Sequence, residues 1–267
     1  MTAKDLVLKP IDARRANAVV RRLHYSGKVD TRSQLHIGVY LDGQLEGALQ
    51  FGPSIDKRKT IGLVSGTGWN EYLELNRLAL SDRLPRNSES RAIAVTMRLL
   101  RKHAPHLRWI LSYADATQCG DGTIYRASGF VLTSIKRNTS MVRMPDGKVY
   151  AKLVFSSSFG GSVDGGVKAR YGKRPSEGVA AFFRRIGAEL LPGYQLRYIY
   201  FLDPSARQYL TVPEIPYDEI PDDVRMYRGE RASEAGFLPS QGTAEVQRLP
   251  RRSKTSRDDR GHKGSQS

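Results

Sequence analysis

Residues 114–130 read ADATQCGDGTIYRASGF and follow an apolar, β-prone run, RWILSY, at residues 108–113. Such a run reads as a buried strand. Asp115 then falls at the strand's carboxyl end, where open α/β sheets keep their ligand sites. The segment GTIYRASGF reads as a short helix closed by Gly129, with a new strand from Phe130. One strand end thus gathers an acid, a thiol, a phenol and flexible glycines, and strand, helix and strand in that order predict an α/β fold.

Upstream, Leu6 to Ile11 is a strand candidate, and Asp12 caps a helix whose Ala16, Val19, Val20 and Leu23 recur at helical spacing. That helix runs into the polar turn His24-Tyr25-Ser26-Gly27-Lys28. QLHIGVYL and QLEGALQF flank Asp42-Gly43, which predicts a tight hairpin. Residues 56–69 read as a basic loop with one helical turn. EYLELNRLAL alternates as a strand, with Tyr72, Glu74 and Asn76 on one face and Leu73, Leu75 and Arg77 on the other. A helix capped by Ser88 follows, with Ala92, Val95, Thr96, Leu99 and Leu100 as its buried stripe, and Pro105 ends it.

Downstream, FVLTSIKRNTSMVRM predicts a hairpin, then a turn at Asp146-Gly147 and a strand through Phe155. Residues 1–155 are expected to form the catalytic domain, and 156–175 a glycine- and serine-rich linker or loop. Residues 176–217 are expected to add a helix from Ser176 to Leu191 and the strand YQLRYIYFL, both packed on the main sheet. Residues 218–267 lose periodicity and read as a basic, disordered tail.

With 43 basic against 27 acidic side chains, the 267 residues carry a net charge of +16. The last twenty residues hold seven Lys/Arg against two Asp, a surplus of five that leaves +11 in the body. A surplus of that size points to a polyanionic partner, nucleic acid first. The lone cysteine, Cys119, excludes an internal disulfide and a four-thiolate metal site, and fits a reducing cytoplasm. No run approaches the roughly 20 apolar residues of a membrane span, so no membrane association is expected.

Three groups of residues carry candidate chemistry. His24 reads either as a helix-end cap or, beside Tyr25, as a titrating group aimed into a cleft. Arg83, Arg86, Ser88 and Arg91 surround a strand-to-helix turn and read either as a solvated basic turn or as an anion cradle. Asp115 reads either as a turn cap or as a base or metal ligand, with Tyr125 as acid or hydrogen-bond donor. His24 and Asp115, with Tyr25 or Tyr125, would make a mixed nitrogen and oxygen site suited to iron. Cys119 has no base adjacent in sequence and reads as inert.

The Tyr-x-x-x-Gly-Phe pattern at Tyr125 to Phe130 resembles the last helix of the GNAT acyltransferase fold, which implies a mixed central β-sheet flanked by helices, here with a C-terminal extension. In that fold the turn at Arg86 to Arg91 grips the pyrophosphate of coenzyme A through glycines. RNSESR contains none and adds Glu89, which argues against ordinary acetyl-CoA binding.

A narrower resemblance rests on HYSGK (24–28), QFGPSIDKRK (50–59), GTGWNEYLELNRLALSD (66–82), LPRNSESRAI (84–93), ADATQCGDGTIYRASGF (114–130) and GYQLRYIYFLDPSAR (193–207). Together these resemble the Mom family of phage DNA adenine-modification enzymes. The resemblance implies a transferase that converts adenine in double-stranded phage DNA to N6-carbamoylmethyladenine and protects it from host restriction. It marks His24, Tyr25, Arg77, Asp115 and Tyr125 as the catalytic set and implies bound iron, with His24 and Asp115 as ligands. It also implies a phage- or prophage-encoded protein in the bacterial cytoplasm.

Lys28, Lys57, Arg58, Lys59 and Trp69 are the expected DNA contacts. A glycyl group delivered by charged tRNA is the donor hypothesis, because a glycyl amide on N6 can rearrange to the carbamoylmethyl product. A conventional acetyl-CoA-dependent N-acetyltransferase and a non-catalytic DNA-binding protein are the rival readings. Oligomeric state is left open, a dimer included.

Overall fold

The computed structural model describes residues 2–117, 120–156 and 162–221. The sheet is built first from an antiparallel meander: β1 (Val7–Pro10), β2 (Leu35–Leu41), β3 (Gln44–Gly52) and β4 (Tyr72–Leu80). Asp42 and Gly43, both at positive φ (49° and 76°), turn the expected hairpin between β2 and β3. Between β1 and β2, α1 (Ala13–Leu23) is capped by Asp12, whose carboxyl accepts from the Arg15 amide, and it buries Ala16, Val19 and Val20. The 56–69 segment contains the expected helical turn, α2 (Lys57–Thr60).

From β4 the chain crosses through α3 (Ser88–His103) into β5 (Trp109–Asp115), which pairs with β4 in parallel. The cap of α3 differs from expectation. Asn87, left-handed at φ 68°, stands at the cap position, and Ser88 lies inside the helix with its hydroxyl donating to the Pro85 carbonyl at 2.6 Å. The buried stripe turns accordingly, toward Ile93 and Met97 instead of Val95 and Leu99. Ala92, Thr96 and Leu100 stay buried as expected.

The short helix of the opening segment is α4 (Thr123–Ala127), ended at Gly129 with φ 84°. Beyond it, FVLTSIKRNTSMVRM forms one irregular strand, β6 (Val131–Arg143), not a hairpin. The register shifts between Leu132 and Ser134 and between Asn138 and Met141 let the strand bend without reversing. β7 (Val149–Ala151) follows the Asp146-Gly147 turn, and residues 152–155 coil into a 3-10 turn where the strand was expected to continue.

Part of the segment read as a linker holds a helix, α5 (Ser162–Arg170). The helix expected from Ser176 to Leu191 is shorter at both ends, α6 (Val179–Ile186): Gly178 before it is extended, and Gly187 ends it with a left-handed φ of 71°. The aromatic strand is therefore longer, β8 (Glu189–Phe201), and it inserts between β5 and β6. The complete order is β1-β2-β3-β4-β5-β8-β6-β7, the expected mixed sheet with helices against it. The tail read as disordered lies, from residue 222 onward, outside the described residues.

The main core packs α3 on one sheet face, with Ile93 and Met97 against Leu49, Phe51, Leu75, Ile110 and Leu196. On the other face, Tyr72 and Trp109 stack with centroids 4.1 Å apart and pack with Leu111 and Ile199 under Leu63 and Ala206. A third cluster joins α6 to β6 through Phe155, Phe182 and Phe183.

Candidate active site

The hydrogen-bonded ladder between β4 and β5 spans three pairs, from Tyr72 opposite Trp109 to Glu74 opposite Leu111. Both strands run on, to Leu80 and Asp115, so a wedge opens beyond Glu74 between Asn76 and Arg77 on one side and Tyr113 and Asp115 on the other. Carboxyl ends of parallel strands are where open sheets bind ligands, and here the opening is lined by polar groups.

Arg77 connects the wedge to the end of α1. Its Nε donates to the Lys28 carbonyl at 2.9 Å, and Nη1 donates to its neighbour Asn76's carbonyl at 2.6 Å. That tie fastens the His24-to-Lys28 turn to β4. In the turn, His24 is buried, Nδ1 accepts the Ser26 amide at 3.2 Å, and the Ser26 hydroxyl lies 2.8 Å from the same nitrogen. An accepting Nδ1 leaves the proton of a neutral ring on Nε2. The Tyr25 ring stands 4.2 Å from the imidazole, centroid to centroid.

Asp115 is held from β6 and from its own turn. The Ser140 hydroxyl donates to Oδ2 at 2.9 Å, and the Thr117 amide donates to Oδ1 at 3.1 Å. The turn-capping reading and the presence of a carboxyl at the wedge are therefore both realised. Tyr125 is placed differently. Its ring is buried in the α3-side core, 5.3 Å from both Phe130 and Tyr198. Alternation along β5 puts Ala114 in that core and Asp115 on the opposite face, so the ring of Tyr125 and Asp115 do not converge.

Sequence reasoning passed over Glu74 and Tyr113. Glu74 is half-buried at the last paired position of β4, and burial pushes its carboxyl up to about 7. Asp30 adds to that rise, while Arg32, Asn76 and Arg77 oppose it. Tyr113 is likewise raised by burial, and by the Glu74 charge, with Arg197 opposing. Arg197 is its direct partner on β8, anchored by donating Nε to the Thr133 hydroxyl at 3.0 Å. Asp30 and Arg32 form a two-pronged ion pair in the loop beside β3 and β4. The available signal was an acid between Tyr72 and Asn76 on one face of a leucine-rich strand.

The strand-to-helix turn before α3 forms a concavity of about 390 Å³, lined by residues 81–82 and 84–90 and by Thr123, Ile124 and Ala127 of α4. Arg86 reaches it, and Ser88 contributes although its hydroxyl is turned to Pro85. Arg83 instead lies 3.5 Å from Glu46, and Arg91 has a buried Nε without a hydrogen-bond partner among the described residues. The expected DNA contacts cluster elsewhere. Lys57 lies over the rings of Trp69 (4.8 Å) and Tyr72 (5.3 Å) and with them lines a concavity of about 500 Å³; Arg58 and Lys59 are exposed on the same helical turn. Lys28 instead belongs to the turn tied to Arg77.

Among the described residues, His24 and Asp115 belong to no group of three or more His, Cys, Asp or Glu side chains able to hold a metal ion. Asp115 already accepts from Thr117 and Ser140. Cys119 lies outside the described residues. Among those residues no helix is long and apolar enough to cross a membrane.

A mixed sheet that opens at its parallel pair, with titratable groups along both sides of the wedge, is the architecture of a group-transfer enzyme. More narrowly, the chain belongs to the Mom protein family, whose model matches residues 5–219. It is 33% identical over 210 residues to the methylcarbamoylase Mom of Escherichia phage Mu, covering 78% of this chain and 80% of that protein. Similar solved structures include the ribosomal-protein-S18-alanine N-acetyltransferase of Escherichia coli (10% identity, 74% of this chain and 94% of that one, TM-score 0.39). Another is a GNAT family acetyltransferase of Elizabethkingia anophelis with acetyl-CoA bound (14% identity, 50% and 81%, TM-score 0.37).

Proposed function

We propose that this enzyme modifies adenine in phage DNA, placing a carbamoylmethyl group on N6. Membership of the Mom family and identity to the phage Mu methylcarbamoylase support the reaction class. The observation that carries the assignment to a place is the Arg77 bond to Lys28, which brings the His24-Tyr25 turn to the mouth of the β4/β5 wedge. Paired, stacked adenine hides its exocyclic amine, so the base is extruded at a cost of a few kcal/mol, offset by contacts to the flanking phosphates. The net charge of +16 and the Lys57-Trp69 surface supply such contacts.

In the wedge, Arg77 balances the charge developing on a donor carbonyl and Tyr25 offers a stacking face, while Trp69 offers one on the Lys57 surface. Asp115, fixed by Ser140 and Thr117, orients the amine. The donor is an activated glycyl ester such as a charged tRNA. Glycyl transfer to N6 gives an amide whose free amine then attacks C6, and migration of C6 between the two nitrogens yields the carbamoylmethyl product without added atoms. A coenzyme A donor is the second reading, favoured by the concavity at the start of α3.

Mass spectrometry of nucleosides from DNA co-expressed with this chain tests the function. Carbamoylmethyladenine supports it, an acetylated nucleoside supports the coenzyme A reading, and unmodified DNA from a folded chain refutes both. Modification by purified protein that survives RNase removes the tRNA donor.

A further inference from the structure

We propose that Glu74 and Tyr113 are the proton-handling pair of the transfer, Glu74 taking a proton from the attacking amine and Tyr113 giving one to the departing oxygen. The assignment rests on the transferase reading above. Glu74 closes the β4/β5 ladder opposite Leu111, and Tyr113 lies two residues further along β5, on the same face as Leu111. Both are half-buried beside the wedge, neither sealed in the core nor free in solvent.

Glu74 also differs from three other shielded acids. Asp30 is paired with Arg32, Asp121 with Arg126 and Glu177 with Arg185, whereas Glu74 has no ion pair among the described residues. Its cross-strand partner is Gly52, and the loop bearing Arg32 passes so close that a Cβ at Gly52 would lie 2.5 Å from the Arg32 carbonyl. That loop leaves Arg32 Nη1 buried without a partner among the described residues. An acid kept from its cations at a strand-end opening costs stability that packing alone does not require.

The groups facing the pair are Asp30 and Arg32 from the loop, Tyr72, Asn76 and Arg77 from β4, and Arg197 from β8. They and the surrounding burial bring the Glu74 carboxyl near neutrality. At working pH Glu74 is therefore a competent base, and Tyr113, beside it on the same face, holds the hydroxyl proton a departing oxygen takes up.

The step balances without another reactant besides the ester donor. The N6 lone pair forms a bond to the acyl carbon, and the carbon–oxygen bond of the ester breaks. The amine proton passes to the Glu74 carboxylate, and the Tyr113 hydroxyl proton passes to the leaving oxygen. Arg197, directly across from Tyr113, stabilises the transient phenolate. Glu74 then returns its proton to that phenolate, and both side chains end as they began.

The test measures modification rate against pH for the full chain and for Glu74→Gln and Tyr113→Phe, with DNA affinity and thermal melting as controls. Each variant is expected to lose about 10²- to 10⁴-fold in kcat with DNA affinity kept. Glu74→Gln also loses the rise in rate through neutral pH, and the double variant falls little further than the worse single one. If Glu74→Gln does not fold, Glu74→Asp carries the test, with at least a tenfold rate loss and a retained pH limb expected. Rates within threefold of the parent, or an unchanged limb in Glu74→Gln, overturn the assignment alone. A parent chain that leaves adenine unmodified overturns the proposed function and this assignment together.

Discussion

Replacing Glu74 by glutamine is expected to stabilise the protein while silencing it. Glu74 prefers its protonated form in the folded chain, its carboxyl raised from 4.5 to about 7 chiefly by burial. Between those values the native state binds more protons than the unfolded state, so stability falls as pH rises through that window and levels off above it. At ~1.4 kcal/mol per pH unit, the full effect is about 3 kcal/mol. Glutamine keeps the size and hydrogen bonding of the neutral acid and never ionises. Glu74→Gln is therefore expected to match the parent near pH 4.5 and to exceed it by about 3 kcal/mol at pH 8, a rise of roughly 6–12 °C in melting temperature for a chain of this size. Thermal and urea unfolding at pH 4.5, 6 and 8 measure the difference. A gap between the two proteins that does not change with pH refutes the reasoning, because only the ionisation of this carboxyl distinguishes them across that range.

Three further outcomes are expected. Gly193→Ala would place a Cβ 1.9 Å from the Thr117 hydroxyl and 2.7 Å from Thr117 Cβ. It should cost upwards of ~1–3 kcal/mol and reduce modification by moving Thr117 off Asp115, so unchanged melting would contradict the placement of β8 beside that turn. Phe182→Ala empties the centre of the α6 cluster, where the ring meets Phe155 and Phe183 at 5.5 Å each, and should cost about 3–5 kcal/mol in urea unfolding. Joint replacement of Lys57, Arg58 and Lys59 by alanine should lower the slope of log affinity against log salt by up to about 3 for duplex DNA. An unaltered slope would put the duplex on another surface.

Local chemistry made much of the fold legible. Asp12 caps α1, Asp42-Gly43 turns the hairpin, and Gly129 ends α4, because each feature depends on a residue's own backbone preferences and near neighbours. Arg77 is a partial case: it was expected on the face of Leu73 and Leu75, but the bulge opposite Gln50 turns it to the other face, where it donates to the Lys28 carbonyl. What sequence could not supply is long-range pairing. The bend that keeps β6 a single strand is set by β8, more than fifty residues later, and the insertion of β8 between β5 and β6 leaves no trace in either segment. Tyr125 looked like a site residue because it shares the strand-end segment with Asp115, yet the opposite faces of the sheet separate its ring from that carboxyl. Glu74 is the converse case. By itself the residue is an ordinary acid in an alternating strand; burial where β4 and β5 part, with Tyr113 alongside and no cation in ion-pair contact among the described residues, is what moves its ionisation to neutrality. Composition and spacing determined the class of fold and the polyanionic partner to expect, while desolvation, which depends on everything packed around a group, was decided only when the sheet closed.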